Sequence, residues 1–379
     1  MSVPLTKFVS RTEPRAKTSV FGIGVATPPH TMTQDQALEL AERVLRIDSE
    51  KARVLRAIYR RAGVKQRYTC VPYETGYAWA ELPDAVSETG EQVPRGASTR
   101  VRMQLYQQYA PPLALDAASK AMDESDVPRE TITHLVTASC TGFVAPGVDS
   151  YLINQLGLPA DTQRVNVGFM GCHGAINALR VADGLAASDP NNRVLLCCVE
   201  LCSLHYFFDS DPDKLVSNAL FADGAAALVL GGAGEGDPVW RLRATGSCLL
   251  PDSLDAMTWD VGDYGFEMSL SAAVPDRIAE SLRPWLTGWL DQQGVAMEDV
   301  THWAVHPGGP RILSSVSESL ELDAEALAAS RSVLADYGNM SSPTVLFIAE
   351  ELSRRGATGP CVMLAFGPGL AAEVALIEF

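Results

Sequence analysis

Gly171-Cys172-His173-Gly174, His306-Pro307-Gly308-Gly309-Pro310 and Tyr337-Gly338-Asn339-Met340-Ser341-Ser342 place one thiol, one imidazole and one carboxamide in this chain, each framed by small or turn-forming residues. A thiol beside an imidazole ionises to a nucleophilic thiolate, and an imidazole with an amide can hold a carbonyl oxygen that is gaining charge. Together these groups suit taking an acyl group from a thioester and building on it. Each has a plainer reading when taken singly. Cys172 is then a buried structural cysteine among turn glycines, His306 a structural histidine at a strand end, and Asn339 part of an N-cap region whose serines cap the next helix.

The surrounding elements decide between these readings. Cys172 follows a strand (164–167) and opens a helix (175–187), a setting that exposes a nucleophile and lowers a thiol pKa through the helix N-terminus. The backbone N–H groups there could contribute to an oxyanion hole. His306 ends a strand (301–305) that Pro-Gly-Gly-Pro stops at once. Asn339 lies in a turn before an apolar helix (342–354). The three types fit a decarboxylating condensation. A nucleophile holds the growing chain, while a neutral imidazole and an amide stabilise the enolate left by loss of carbon dioxide without adding an opposing negative charge. Such a site must be dry, and Tyr206, Phe207, Phe266 and Phe143 are candidate apolar walls.

Strands and helices alternate along the chain, favouring a parallel or mixed sheet covered by helices. Further strands are expected at 19–26, 132–139, 194–202, 225–230, 240–245, 361–366 and 373–379. Further helices are expected at 34–46, 52–62, 113–122, 147–156, 275–290, 310–320 and 324–336, with a loop at 83–98. The Gly-rich stretch Gly231 to Pro238 is the clearest seam. It divides the chain into an N-terminal half, 1–231, with the cysteine, and a C-terminal half, 238–379, with the histidine and asparagine. Such a duplicated α/β architecture would hold its site between the halves.

The 379 residues are 47% hydrophobic and 20% charged, which are globular values. No apolar run reaches the ~20 residues of a membrane span. Met1 to Arg15 lacks the apolar core of a signal peptide, so the compartment expected is the cytosol. None of the eight cysteines forms a Cys-x-x-Cys pair, and the six histidines show no zinc spacing; small core residues in a reducing compartment, and no metal, are expected. The net charge of −16 repels nucleic acid and anionic membranes. Against it stands a basic run without acidic residues: Lys51, Arg53, Arg56, Arg60, Arg61, Lys65 and Arg67. It reads either as a solvated helix face or as a docking site for a phosphorylated ligand.

At Cys172, His306 and Asn339 the sequence resembles the type III polyketide synthases, the chalcone synthase-like family. The likeness runs nearly the whole length. It includes Ala26-Thr27-Pro28-Pro29, the stretch Ala219 to Ala227, the His306 and Asn339 motifs quoted above, and Phe366-Gly367-Pro368-Gly369. The resemblance implies a thiolase-like α-β-α-β-α fold of two pseudo-duplicated halves, working as a homodimer on coenzyme A thioesters without metal or redox cofactor. It implies that Cys172 carries the acyl chain, and that His306 and Asn339 activate it and stabilise the enolate from malonyl-CoA. It places Tyr206 and Phe266 at gatekeeping positions, with Tyr in place of Phe at the first, and Cys140 and Thr141 in the pocket lining. Ala145 stands where plant members place a Met across the dimer interface. His173 departs from the pattern and would either influence the thiolate or cap its helix. Arg61, with Arg56 and Arg311 nearby, is implied in docking coenzyme A.

The activity so implied is loading of an acyl-CoA starter, repeated decarboxylative condensation with malonyl-CoA, and cyclisation to an alkylpyrone, resorcinol or related aromatic product. The nearest alternative is a ketoacyl synthase III-like enzyme making one condensation with an acyl carrier protein. A cysteine hydrolase would also run Cys, His, Asn in chain order, and a non-catalytic protein of the same fold is the remaining possibility.

Overall fold

The computed structural model describes residues 18–45, 49–82, 85–86, 92–93, 95–208, 211–232, 238–271 and 273–379. Met1 to Arg15, most of the loop expected at 83–98, and 233–237 of the Gly-rich seam therefore lie outside the described residues.

Among the described residues, nine strands form one sheet. Their order across it is His302–Val305, Pro360–Gly367, Ala371–Glu378, Trp240–Leu249, Thr18–Ala26, Asp223–Gly232, Arg193–Leu201, His134–Ser139, Gln163–Gly168. The pairing has an internal echo. His134–Ser139 runs parallel to Arg193–Leu201, which is antiparallel to Asp223–Gly232, itself antiparallel to Thr18–Ala26. On the other side His302–Val305 runs parallel to Pro360–Gly367, followed by antiparallel Ala371–Glu378 and antiparallel Trp240–Leu249. The two runs meet where Thr18–Ala26 pairs with Trp240–Leu249.

Side chains alternate across each strand, so both faces of these apolar runs are covered. One core joins helices Gly174–Ser188 and Thr344–Arg354 to residues from both sheet halves, among them Val136, Leu196, Ala304 and Met363. A second packs helices Val274–Gln292 and Pro310–Leu320 on Trp303, Val362 and Leu376. A third packs helices Thr99–Ser125 and Val148–Leu156 on Leu135, Leu195 and Val229. The layers therefore run α-β-α-β-α, with two helices sandwiched in the middle.

Those central helices position the chemistry. Cys172 stands just before the first and Asn339 to Ser342 just before the second. His306 follows His302–Val305, and Cys140 follows the equivalent strand of the other half, His134–Ser139. All four loops sit at the C-terminal ends of strands or at helix N-termini, where α/β sheets place their ligands.

Some elements differ from the sequence reading. The helix expected at 113–122 spans Thr99–Ser125 and contains Pro111 and Pro112. The Pro pair reads as a boundary because it removes two N–H donors. Close packing accompanies the continuous helix: Ala110, Ala114, Ala117, Ala118 and Ala121 are buried, and Ala117 and Ala121 lie against the glycines of the strand Thr18–Ala26. A Cβ added at Gly24 would lie 2.2 Å from the Ala117 carbonyl oxygen, so only glycine admits this approach. The helix expected at 324–336 is a 3-10 turn, Ala324–Leu327, followed by an α-helix, Ala328–Tyr337. The helix Pro212–Leu220 was not anticipated, although Asp211 before Pro212 is a legible start signal; its carboxylate accepts from Asp213 N and Lys214 N. Nor was the hairpin Met257–Gly262/Gly265–Leu270, which forms one wall of the site. No helix of the described residues is long and apolar enough to cross a membrane.

Candidate active site

Cys172 lies in a 3-10 turn, Gly171–His173, immediately before the helix Gly174–Ser188. The turn needs glycine at Gly171, where φ is +72° and an added Cβ would lie 2.5 Å from Pro368 Cδ. The Phe366-Gly367-Pro368-Gly369 stretch thus buttresses the nucleophile turn. Burial dominates the thiol, pushing its pKa up to about 11, with Glu200 adding to the rise. The Ser341 hydroxyl, the Asn339 carboxamide and the local backbone N–H pull the other way. The free thiol is therefore not ionised by its helix alone, contrary to the expectation from the helix N-terminus: desolvation outweighs the dipole.

Asn339 is held by its backbone. Its N–H donates to Leu220 O at 2.9 Å, and its carbonyl accepts from Ala222 N at 2.8 Å. Its Oδ1 accepts from Ser341 N at 2.8 Å, which leaves the amide N–H side to face the Cys172 thiol. The serines of this motif do not cap the following helix. Ser342 Oγ donates to Glu200 at 2.6 Å, and Ser341 Oγ lies 3.4 Å from Cys140 Sγ.

His306 is 1% exposed, and both ring nitrogens lack hydrogen-bond partners among the described residues. Its backbone N–H is tied to Leu364 O at 2.8 Å. Burial pushes its pKa down to about 3, with a smaller contribution from His173, so by itself the imidazole is neutral. His173 does not cap its helix; its Nδ1 meets Asn177 Oδ1 at 2.6 Å, and its side chain abuts Gly367. The structure thus brings Asn339 and Ser341 to Cys172, and His306 into the electrostatic range of the residue next to it.

Glu200, fully buried, organises the second wall. It accepts from the Cys140 and Thr141 N–H groups, from Thr141 Oγ1 at 2.7 Å and from Ser342. Burial raises its pKa, while these donors lower it. Sequence reasoning missed this residue; its signal was a lone carboxylate inside the apolar run Val194 to Leu204. Trp259, also missed, donates its Nε1–H to Cys140 O at 2.7 Å and fastens the hairpin over the site.

A cavity partly open to solvent reaches Cys172, Cys140, Thr141, Ser341, Tyr206 and Trp259. Phe207 lines it, as expected; Phe266 and Phe143 do not. Phe266 is fully buried one layer back, its ring stacked 4.3 Å from that of His205, and Phe143 is 57% exposed. Phe221 and Met268 line the cavity instead.

The basic run divides. Arg67 is buried, donating to the carbonyls of Asn218, Ala219 and Phe221, so it belongs to the fold and not to a solvated face. Arg56, Arg61 and Arg311 are exposed, and Arg56 pairs with Glu42 at 2.5 Å. Gly63 packs against Pro310, which brings the chain beside Arg61 next to the chain beside Arg311.

The sequence profile described as chalcone and stilbene synthases, N-terminal domain, matches residues 5–234, and that of the C-terminal domain matches 241–378. The chain is 32% identical over 365 residues to alpha-pyrone synthesis polyketide synthase-like Pks18 of Mycobacterium tuberculosis, covering 94% of this chain and 90% of that protein. It is 34% identical over 369 residues to 1,3,6,8-tetrahydroxynaphthalene synthase of Streptomyces peucetius, covering 96% and 93%. The crystal structure of PKS-I from the brown alga Ectocarpus siliculosus superposes with a TM-score of 0.88 at 32% identity, covering 97% of this chain and all of that one. The thiolase-like layering, the Cys172–Asn339 constellation and this likeness across both halves agree: the chain belongs to the chalcone and stilbene synthase family and is a type III polyketide synthase, a decarboxylating condensing acyltransferase.

Proposed function

We propose that Cys172 carries the acyl chain and that His306 and Asn339 handle the malonyl extender. The observation that carries this reading is the convergence of the Asn339 amide and the Ser341 hydroxyl on the Cys172 thiol, which with Ser341 lines the cavity. His306 takes the Cys172 proton, and the thiolate attacks the starter thioester. Coenzyme A leaves as its thiol with that proton. Malonyl-CoA then loses carbon dioxide; the electron pair of the broken bond enters an enolate whose oxygen accepts from His306 and Asn339. The enolate carbon attacks the Cys172 thioester and expels the thiolate, leaving the lengthened chain on coenzyme A for reloading. Cys140, Thr141 and Tyr206 shape the space for that chain.

Coenzyme A docks across the exposed Arg56, Arg61 and Arg311, where the Gly63–Pro310 contact joins their two segments. No metal or redox cofactor is needed for these steps. Residues 1–231 and 238–379 form the two halves of a duplicated unit, a reading supported by the repeated strand pairing. The enzyme works as a homodimer. The strand Gln163–Gly168 ends the sheet with exposed residues, Val165 is 37% exposed, and Phe143, Phe169 and Met170 beside it are exposed as well. An apolar sheet edge of this kind is normally covered.

Mass spectrometry of products from malonyl-CoA alone, then with short and long acyl-CoA starters, tests the activity. Products carrying two or more extender units are expected. A single extension in every case, or dependence on a carrier protein, would instead favour the one-cycle alternative, which finds no support in the relatives above.

A further inference from the structure

The polar side chains along the cavity fall into two groups. Thr69, Ser203, Ser217 and Asn218 all have protein partners: Val71 O, Asp223, Asp213 O and the Phe207 backbone, respectively. Tyr206 and Arg67 line the same cavity, where Arg67 Nε is buried with no hydrogen-bond partner among the described residues. Tyr206 Oη is buried too and meets only the phenol of Tyr59, on the helix Ser49–Arg61, whose Oη is likewise buried. Two phenols that share one hydrogen bond leave one O–H without an acceptor, and both act on the neighbouring Arg67 charge.

Buried polar atoms are nearly always bonded, because stranding one forfeits its water. A leftover phenol O–H and a leftover Arg67 Nε–H, beside a cavity otherwise walled by Met32, Leu40, Val71, Trp79 and Phe207, mark a place built for an occupant that accepts hydrogen bonds. An apolar chain alone would be served as well by Phe at both tyrosines. The remaining Arg67 donors are committed to Gln34 and to backbone carbonyls, so Nε is the donor left over.

We propose that Tyr206 Oη, Tyr59 Oη and Arg67 Nε form a polar subsite that receives a hydroxyl or keto oxygen carried on the acyl chain, so that this enzyme selects oxygen-bearing acyl-CoA starters over plain ones. The subsite rests on the catalytic reading above but makes a separate claim. It concerns which starter loads, not whether condensation occurs.

The test is competition between plain acyl-CoA starters of graded length and their ω-hydroxy counterparts, each pair offered together with malonyl-CoA and the products counted by mass spectrometry. At one chain length the hydroxylated starter should win by roughly 3- to 10-fold, the range of one or two neutral hydrogen bonds. That ratio should fall toward one in Tyr59→Phe, with turnover of the plain starter in the same tube reporting a folded enzyme, and in Tyr206→Phe, with the thermal melting temperature reporting the fold. Preference for the plain starter at every length, or a ratio unchanged in both variants, overturns the subsite and leaves only water there. Absence of condensation with every starter overturns the catalytic reading itself.

Discussion

Cys172→Ala should lose product formation by more than about a thousandfold, the scale of removing a covalent nucleophile. It should still release carbon dioxide from malonyl-CoA. The two halves of the chemistry are assigned to different residues: sulfur holds the starter, while His306 and Asn339 hold the enolate oxygen. The alanine removes one Sγ and its contacts with Ser341 and Asn339, but Asn339 is positioned by Leu220, Ala222 and the Ser341 N–H without the thiol. The variant should therefore keep wild-type thermal stability within about 1 kcal/mol. Radiolabelled carbon dioxide release and starter loading, measured on the same preparation, check both statements. Condensation at the wild-type rate would end the assignment of Cys172. Decarboxylation falling in step with condensation would end the division of labour.

His306→Ala should change how the remaining thiol titrates. Burial, helped by Glu200, pushes Cys172 up to about 11 against the pull of Ser341, Asn339 and a backbone N–H. Burial, helped by His173, pushes His306 down to about 3, and neither ring nitrogen has a hydrogen-bond partner among the described residues. Separately, each group is neutral near pH 7. Paired, transfer of the sulfur proton to the imidazole creates opposite charges whose attraction in a dry site offsets their desolvation. The reactive form is the thiolate, so a raised pKa means slow alkylation at neutral pH and faster alkylation as pH rises. Iodoacetamide should modify the wild type at a rate nearly flat across neutral pH. In the variant the rate at pH 7 should fall on the order of ten-thousandfold and recover about tenfold per pH unit toward 11. Superimposable profiles for the two proteins would show that His306 does not serve the thiol.

Much of the architecture was legible because its signals are local. Helix 34–44 has a Thr33 cap and apolar spacing, and the strands of both halves are short apolar runs between turns. Pro212–Leu220 was missed despite equally local signals, whereas Thr99–Ser125 was cut short because two prolines outweigh propensity until packing is known. The hairpin 257–270 carries half-exposed polar alternation and declares itself only by what it covers. Arg67 sat in a basic run and read as surface; nothing in its neighbours announces that the Asn218–Phe221 carbonyls wait for it.

Residue chemistry and spacing along the chain were enough to name the thiol, the imidazole and the amide, and to assign them to a condensing reaction, because turn glycines and strand ends mark exposed functional groups without reference to distant partners. Glu200 as the hub of the second wall, the retreat of Phe266 behind His205, and the buried polar cluster of Tyr59, Arg67 and Tyr206 came only from the tertiary structure. The reason is physical: desolvation and hydrogen-bond satisfaction depend on which surfaces meet, and residues more than a hundred positions apart, such as Glu200 and Ser342, meet only when the two halves close on each other.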